Sequence, residues 1–488
     1  MRPRMPFDDV AWERSESIED AWVSYILKHD NLRKVGDFIV KHHKRTPTEL
    51  CSPQGGAFNV SFRMKFQIGS SVMIRLTKPG STMFPEEKTR YEVAAMRYVQ
   101  DQTSIPVPLV LHFGSKDQGP PVQGSGAFML MEYVEHALTM NEALITPSLK
   151  IEDRPILDPS IDEDKLERLY GEMADVLLQL SRVTLPQIGS LTQVDDFTWD
   201  SSSRPLTFAM NQLVSLGTLP RSKLPRRHFG SAQAYFESLA DLHMDHLVHQ
   251  RNDAVDSEDD CRRKYVARFL FRRLGREGQL TSPETDHGPF PLWCDDFRPA
   301  NVLLNDKLQS VGVVDWEFSY AAPVEFTRAP PWWLLLEQPE YWPEGLDAWS
   351  DTYELRLETF LRALEKCEDT AIERGRLSED QRLSGHMRRS WETGEFWVVY
   401  AARKPFAFDA IFWKKLDTRF FGPCTLSNED RWKERLELLD EKGKEDMEAL
   451  VKRKMEEAKE RLLAWEPDEA TREFARVCDG DQANSPPA

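Results

Sequence analysis

Between Val60 and Gln67, apolar Val60, Phe62, Met64 and Phe66 alternate with Ser61, Arg63, Lys65 and Gln67. A period of two predicts a strand with one buried face. It leaves a small-residue turn, Gln54-Gly55-Gly56-Ala57-Phe58-Asn59, and precedes a second strand, Val72-Met73-Ile74-Arg75-Leu76, in which Arg75 is the lone charge. Glu87 to Gln100 has helical character, and Phe128-Met129-Leu130-Met131 reads as a buried strand running into Glu132-Tyr133-Val134. Upstream, Trp22, Tyr25, Ile26 and Leu32, then Val35, Phe38 and Ile39, predict helices between Asp20 and Lys44. Downstream, Leu138 to Asp164 is rich in Pro, Asp and Ser and predicts an inserted loop, followed by helices over Glu167–Leu180 and Ser231–Gln250. Val302-Leu303-Leu304 and Val311-Gly312-Val313-Val314 flank the turn signal Asn305-Asp306-Lys307, which predicts a hairpin. Glu429 to Trp465 is charged and helical with a break at Gly443, and beyond Pro467 the polar composition predicts a mobile tail.

At 488 residues the chain can bury large cores, and its formal charge of −18 argues against a nucleic-acid-binding surface. The same charge would suit a cationic small molecule. Cysteines 51, 261, 294, 367, 424 and 478 show no close spacing, so reduced thiols are expected rather than disulfides or zinc. No apolar run approaches membrane-spanning length, and Met1 to Glu19 lacks a signal-like apolar segment. A cytoplasmic protein with no membrane partner is the expectation. His243, His246 and His249 sit at i, i+3 and i+6, but 100° per residue turns the first and third well apart, which favours a packed helix over a metal site. Asp253 to Asp260 lacks the glycine and terminal Glu of a calcium loop and reads as solvated.

The segment Trp293-Cys294-Asp295-Asp296-Phe297-Arg298-Pro299-Ala300-Asn301, followed by the hairpin and Asp315-Trp316-Glu317, carries the candidate chemistry. An Asp, an Asn five positions on and a second Asp across a hairpin supply what phosphoryl transfer requires. Asp296 is the candidate base for a hydroxyl, and Asn301 and Asp315 are candidate ligands of Mg²⁺. Arg298 is placed to stabilise a transferring phosphate. The turn at Gly55 and Gly56 lets backbone N–H groups approach phosphate oxygens. Arg75 suits the phosphates of ATP (or GTP), with Glu92 to orient it, and main chain near Glu132 and Val134 suits the adenine edge. Pro330-Pro331-Trp332-Trp333 forms a rigid apolar wall after the second Asp, making Trp332 and Glu325 candidates for contact with an acceptor.

From about Asn31 to Trp465 the chain resembles the aminoglycoside phosphotransferase-like family of small-molecule kinases, in particular its fungal branch. The resemblance rests on Gly55 to Leu76, Arg90 to Pro108, Phe128 to Glu135, Trp293 to Asn301, Val311 to Trp333 and Phe396 to Gly422. It implies an α+β, two-lobed protein-kinase-like fold with a small β-rich N-lobe, a larger mainly helical C-lobe and a C-terminal helical extension. The expected divisions are a helical extension over 1–44, an N-lobe over 45–134, a C-lobe over 135–424, a charged helix over 425–466 and a tail over 467–488. The resemblance also implies ATP-dependent phosphorylation of a small-molecule hydroxyl with Asp296 as base and Asn301 and Asp315 on magnesium. Two positions depart from the family pattern: Cys294 stands where His is usual, and Arg75 replaces the usual lysine. A kinase-fold nucleotide-binding or scaffold protein without catalysis is the alternative, favoured by Cys294 and its acidic neighbour Asp295.

Overall fold

The structure is a computed structural model. It describes residues 4–483 apart from 70, 148 and 150–152, and only the backbone of residues 477–483. The alternation along Val60–Phe66 becomes β3 (Asn59–Phe66), whose Val60, Phe62, Met64 and Phe66 are all buried. It joins β1 (Pro47–Leu50), β2 (Gln54–Gly55), β4 (Val72–Thr77), β5 (Val110–Gly114) and β6 (Phe128–Glu132) in an antiparallel sheet ordered β1-β3-β4-β6-β5, with β2 on β3. One largely buried helix, α3 (Pro85–Gln102), follows β4 and starts with proline in its first turn, where no N–H partner is lost. This is the small lobe.

The larger lobe is mainly helical. Its sheet elements that matter for the site are β11 (Phe290–Cys294), β12 (Val302–Leu304), β13 (Ser310–Val313) and β14 (Ser319–Ala321). β11 pairs antiparallel with β14, placing Cys294 opposite Ser319, while β12 pairs with β13, placing Val302 opposite Val313. These nested ladders leave the loop 295–301 and the turn 314–318 side by side. The two lobes together form the kinase-like α+β architecture that the sequence implies.

Four segments differ from sequence expectation. The predicted N-terminal helices are α1 (Asp9–Ile26) and α2 (His29–His43), and α1 bridges the lobes rather than merely preceding them. Asp8 caps α1 at Ala11 N (3.0 Å) and accepts from Asn252 N (2.9 Å) of the large lobe, while Ser15 and Glu19 hold Gly80 and Lys78 of the small lobe. The presumed inserted loop contains a short strand, Leu138–Thr139, that pairs with β12, and a capped helix, Met140–Leu144. Beyond Pro467 the chain forms a helix, Glu469–Ala483, where polar composition had suggested a mobile tail. Phe474 is buried near Tyr25 (ring centroids 5.9 Å), and Thr471 Oγ1 accepts from Gly80 N at 2.9 Å. Buried Phe474 and Ala470, a satisfied backbone donor and the pairs of Glu469 and Glu473 with Lys116 dock a largely polar segment. The charged C-terminal stretch is likewise split, with helix Glu441–Glu457 starting anew at the Asp440 cap on Gly443 N.

The large lobe fixes the segment beyond Trp333 that returns to the site. Arg268, on the helix Glu258–Arg276, makes a two-pronged pair with Asp409 at 2.7 and 3.0 Å, and both side chains are buried. Burial works against ionisation of Asp409, but Arg268 overrides it and holds the carboxyl below the usual range. His243 Nε2 lies 3.2 Å from Ala402 O, and burial pushes His243 and His246 down to about 3, so the histidine helix packs in the core. Among the described residues no group of three or more His, Cys, Asp or Glu is disposed to hold a metal, and no described helix is long and apolar enough to cross a membrane. The Cys478 side chain lies outside the described side chains; the other five cysteines are free thiols. Arg268→Met strands a buried carboxylate and should destabilise the protein by about 3–5 kcal/mol in urea unfolding, whereas Arg268→Met with Asp409→Leu should recover much of that loss.

Candidate active site

Sheet, helix and loops converge on a cleft of about 440 Å³ between the lobes. Gly55, Gly56, Arg75, Glu132 and Val134 line it from the small lobe and hinge, and Asp296, Arg298 and Asp315 from the large lobe. A Cβ added at Gly55 would meet nothing within 4 Å, and one at Gly56 only Asn59 O at 3.6 Å. The turn therefore opens onto free space rather than onto packed protein. At the hinge, Glu132 N donates to Leu109 O and Tyr133 N to Ser71 O (both 2.9 Å), fixing the backbone that passes the cleft.

Arg75 is central. Its Nη1 lies 2.7 Å from Glu92 Oε1 and 3.0 Å from Asp315 Oδ1, and its Nη2 3.3 Å from Glu317 Oε2. Glu317 also receives Lys88 Nζ and, at 3.1 Å, Asn59 Nδ2. Lys88 stands four residues before Glu92 on α3, so both project from one helical face. Burial alone would disfavour every charge here, yet the three carboxylates hold Arg75 firmly protonated. Burial raises Glu92, whereas Lys88 and Arg75 overcome burial at Glu317 and hold it low. The pairing expected of Arg75 with Glu92 is present, while Lys88, Asn59 and Glu317 escaped sequence reading. The four-residue spacing of Lys88 and Glu92 was the available signal.

Asp315 adopts φ of 57°, a left-handed conformation that Asp tolerates better than most residues and that is held only by its surroundings. Trp316 supplies one anchor by donating Nε1 to Val313 O at 2.9 Å. The Asp315 side chain, 41 % exposed, is thereby presented to the cleft. Asn301 is buried and donates Nδ2 to Asp296 O (2.9 Å), so its amide oxygen is the atom left for a ligand. One carboxylate and one amide oxygen make a hard donor set of the kind that takes Mg²⁺ together with phosphates and water, so these residues fit the metal implied.

Asp296 is largely buried, with Arg298 Nε 3.4 Å from its Oδ1. Burial raises its carboxyl to about 7; Arg298 opposes the rise and the carboxylates of Glu317 and Asp315 add to it. Its neighbour Asp295 is different. Burial would raise it as well, but Arg403 at 2.6 Å and the nearby Lys404 hold it below the carboxylate range. Trp293 Nε1 and Phe208 N complete its partners at 3.2 and 3.1 Å. Cys294 sits beneath the turn, Sγ 3.8 Å from Asp315 O and 4.0 Å from Glu317 O, and burial pushes its thiol far up. It packs where the family usually has an imidazole, and a thiolate is disfavoured.

The acceptor-side candidates separate. Trp332 lines a small apolar cavity of about 40 Å³ with Trp293, Phe297, Phe326 and Arg403, and the more deeply buried Trp333 lines it too. Glu325 does not join the cleft or this cavity. Its Oε1 accepts from Ser282 N (3.0 Å) and Thr285 Oγ1 (3.3 Å), which fixes it to the loop before β11, beside a different cavity.

The model of the "Phosphotransferase enzyme family" matches residues 34–364. The chain belongs to that family. A curated relative of this phosphotransferase-family chain, Clavilactone A biosynthesis cluster protein Y of Ampulloclitocybe clavipes, is 23% identical over 311 residues, 61% of this chain and 68% of that protein. Among solved structures, a Plasmodium vivax ethanolamine kinase covers 87% of this chain and 93% of its own at 12% identity and a TM-score of 0.41. The aminoglycoside phosphotransferase APH(4)-Ia, as a thermostable mutant in ternary complex with AMP-PNP and hygromycin B, covers 78% and 98% at 15% identity and 0.39.

A carboxyl titrating near 7 in the fold and near 4 in the unfolded chain makes the native state hold an extra proton between those values. The stability tied to that proton is complete below about pH 4 and is lost as pH rises to about 7. In metal-free buffer, Asp296→Asn should therefore raise the thermal midpoint at pH 8 and leave it nearly unchanged at pH 4, with every tenfold difference in proton affinity between folded and unfolded chain worth about 1.4 kcal/mol. An equal effect at both pH values contradicts a raised Asp296.

Proposed function

We propose that this protein transfers the γ-phosphoryl group of ATP (or GTP) directly to a hydroxyl group of a small molecule. The observation that carries the reading is the convergence of three segments of chain: Arg75 from β4, Asp296 with Asn301 from the loop 295–301, and Asp315 from the turn 314–318, with Arg75, Asp296 and Asp315 lining one cleft and Asn301 bonded to the Asp296 backbone beside it. Family membership supports small-molecule phosphotransfer, and the residues of this chain support the finer assignment.

The hinge backbone near Glu132 and Val134 receives the base, and the open turn at Gly55 and Gly56 covers the phosphates with N–H groups. Arg75, preset by Glu92 and Glu317, neutralises phosphate charge without needing to reorganise. Magnesium, held by Asn301 and Asp315, would supply charge neutralisation and orientation of the transferring group. Asp296 accepts the acceptor's hydroxyl proton as the oxygen attacks, and Arg298 offsets negative charge on the moving phosphoryl group. With its carboxyl near 7, Asp296 is a stronger base than an exposed aspartate and releases the proton at neutral pH. The bond to the leaving diphosphate breaks as the new P–O bond forms, with no covalent enzyme intermediate.

Asp296→Asn keeps the side-chain shape and removes the base. Mg²⁺ with ATP should raise the thermal midpoint of wild type and variant alike, because binding only to the folded state stabilises it by mass action. Phosphoryl transfer, followed as ADP release across a panel of alcohols, amino alcohols, sugars and hydroxy acids, should fall about a hundredfold or more in the variant. ATP binding by wild type without transfer to any member of the panel would favour a nucleotide-binding scaffold.

A further inference from the structure

The chain's net charge of −18 favours a cationic acceptor, but the immediate surroundings of Asp296 hold basic side chains as well as carboxylates. Of the basic side chains there, Arg403 is spent on Asp295 at 2.6 Å, Arg298 lies 3.4 Å from Asp296, and Arg75 and Lys88 belong to the Glu92–Glu317 cluster. Lys404 is different. Among the described residues no carboxylate lies within ion-pair distance of it. Its Nζ instead sits between two rings, 5.8 Å from the Phe208 centroid and 5.6 Å from that of Trp332.

The carboxylates within its electrostatic reach are already engaged. Asp295 accepts from Arg403, Trp293 and the backbone of Phe208. Glu340 accepts from Tyr400 Oη at 2.6 Å, and burial pushes it up toward its neutral form. Asp296 is the remaining one, and it too is raised by burial. Lys404 is therefore a partly buried ammonium with π faces for neighbours and no ion-paired carboxylate among the described residues. Desolvation lowers its pKa, as an uncompensated cation requires. Phe208 binds Asp295 through its backbone, and Trp332 borders the apolar cavity beside Phe297, so the ammonium stands next to the loop that carries Asp296.

We propose that Lys404 is a specificity-determining residue that pairs with an anionic group of the acceptor, making the acceptor class a hydroxy compound that carries a carboxylate on an apolar or aromatic body. The rings of Trp332 and Phe208 face that body while the ammonium receives the carboxylate. A cationic acceptor meets Lys404 as a like charge. This inference deepens the phosphotransferase reading and rests on it for the role of the site, but the binding it describes needs no nucleotide.

Three probes with one body and different charge test it: 4-(hydroxymethyl)benzoate, 4-(hydroxymethyl)benzamide and 4-(hydroxymethyl)benzylamine. Binding to the nucleotide-free protein is measured by quenching of tryptophan fluorescence and by calorimetry. In wild type the carboxylate should bind about tenfold or more tightly than the amide or the amine, the size expected of a charge-assisted bond. Lys404→Met should abolish that preference and Lys404→Arg retain part of it, with circular dichroism confirming both folds. Preference for the amine, equal binding of all three, or a carboxylate preference unmoved in Lys404→Met overturns the proposal. Were the Met variant not to fold, the wild-type ranking and Lys404→Gln decide alone. Mg²⁺-ADP affinity of Lys404→Met separates the two anion sources: a tenfold loss there with the carboxylate preference intact would assign Lys404 to nucleotide phosphate and overturn the acceptor role. Lys404-dependent carboxylate binding without phosphoryl transfer from ATP would leave this inference standing and refute the phosphotransferase reading.

Discussion

A single buried guanidinium ties the two lobes into one site. Arg75 comes from the second full strand of the small lobe, Glu92 from the helix packed behind it, and Asp315 and Glu317 from the turn of the large lobe. Removing such charges from water is expensive, and only mutual pairing makes it tolerable. The cluster holds two cations, Arg75 and Lys88, against three carboxylates, so it is left with excess negative charge on the side where Asp315 opens to the cleft. On the proposed reading, a metal with its phosphate ligands would offset that imbalance. The ion pairs of Asp315 and Glu317 with Arg75, together with the Trp316 bond to Val313 O, hold the turn in its left-handed conformation.

The same economy of charge governs the other side of the cleft. Asp295 and Asp296 are adjacent in sequence, but Arg403, Trp293 and the Phe208 backbone keep one ionised while burial raises the other. Two neighbouring carboxyls thus have different tasks because they have different neighbours. Arg403 and Lys404 arrive from a segment far downstream, held in place by the Arg268–Asp409 pair and by His243 against Ala402. The terminal helices contribute at longer range. Both contact Gly80 of the small lobe while the chain on either side is anchored to the large lobe, so lobe separation is opposed by the extension at each end.

Much of this was legible in the residues themselves. The alternation of Val60 to Phe66, the lone charge at Arg75 and the Asp296, Asn301, Asp315 spacing each reflect a local rule, and local rules survive in a sequence. Lys88 was not singled out, because its four-residue spacing from Glu92 is a weak local signal and nothing local tells of the carboxylate of Glu317 arriving from the other lobe. Glu325 failed for the converse reason. Its position after the second Asp suggested the acceptor cleft, whereas the loop at Ser282–Thr285 captures its carboxylate. The helix Glu469–Ala483 was missed because a few contacts dock it, among them buried Phe474, the Thr471 hydroxyl on Gly80 N and the pairing of Glu469 and Glu473 with Lys116, and composition averages such contacts away.

If Arg75 is the junction on which the site depends, its charge and its geometry should both register in nucleotide binding. Calorimetric titration of Mg²⁺-ATP into wild type, Arg75→Lys and Arg75→Met, each verified as folded, tests this directly. The account predicts that Arg75→Met loses about tenfold or more in affinity and that Arg75→Lys falls between, since an ammonium keeps the charge but not the fork that reaches three carboxylates. Wild-type affinity in a folded Arg75→Met variant would contradict it.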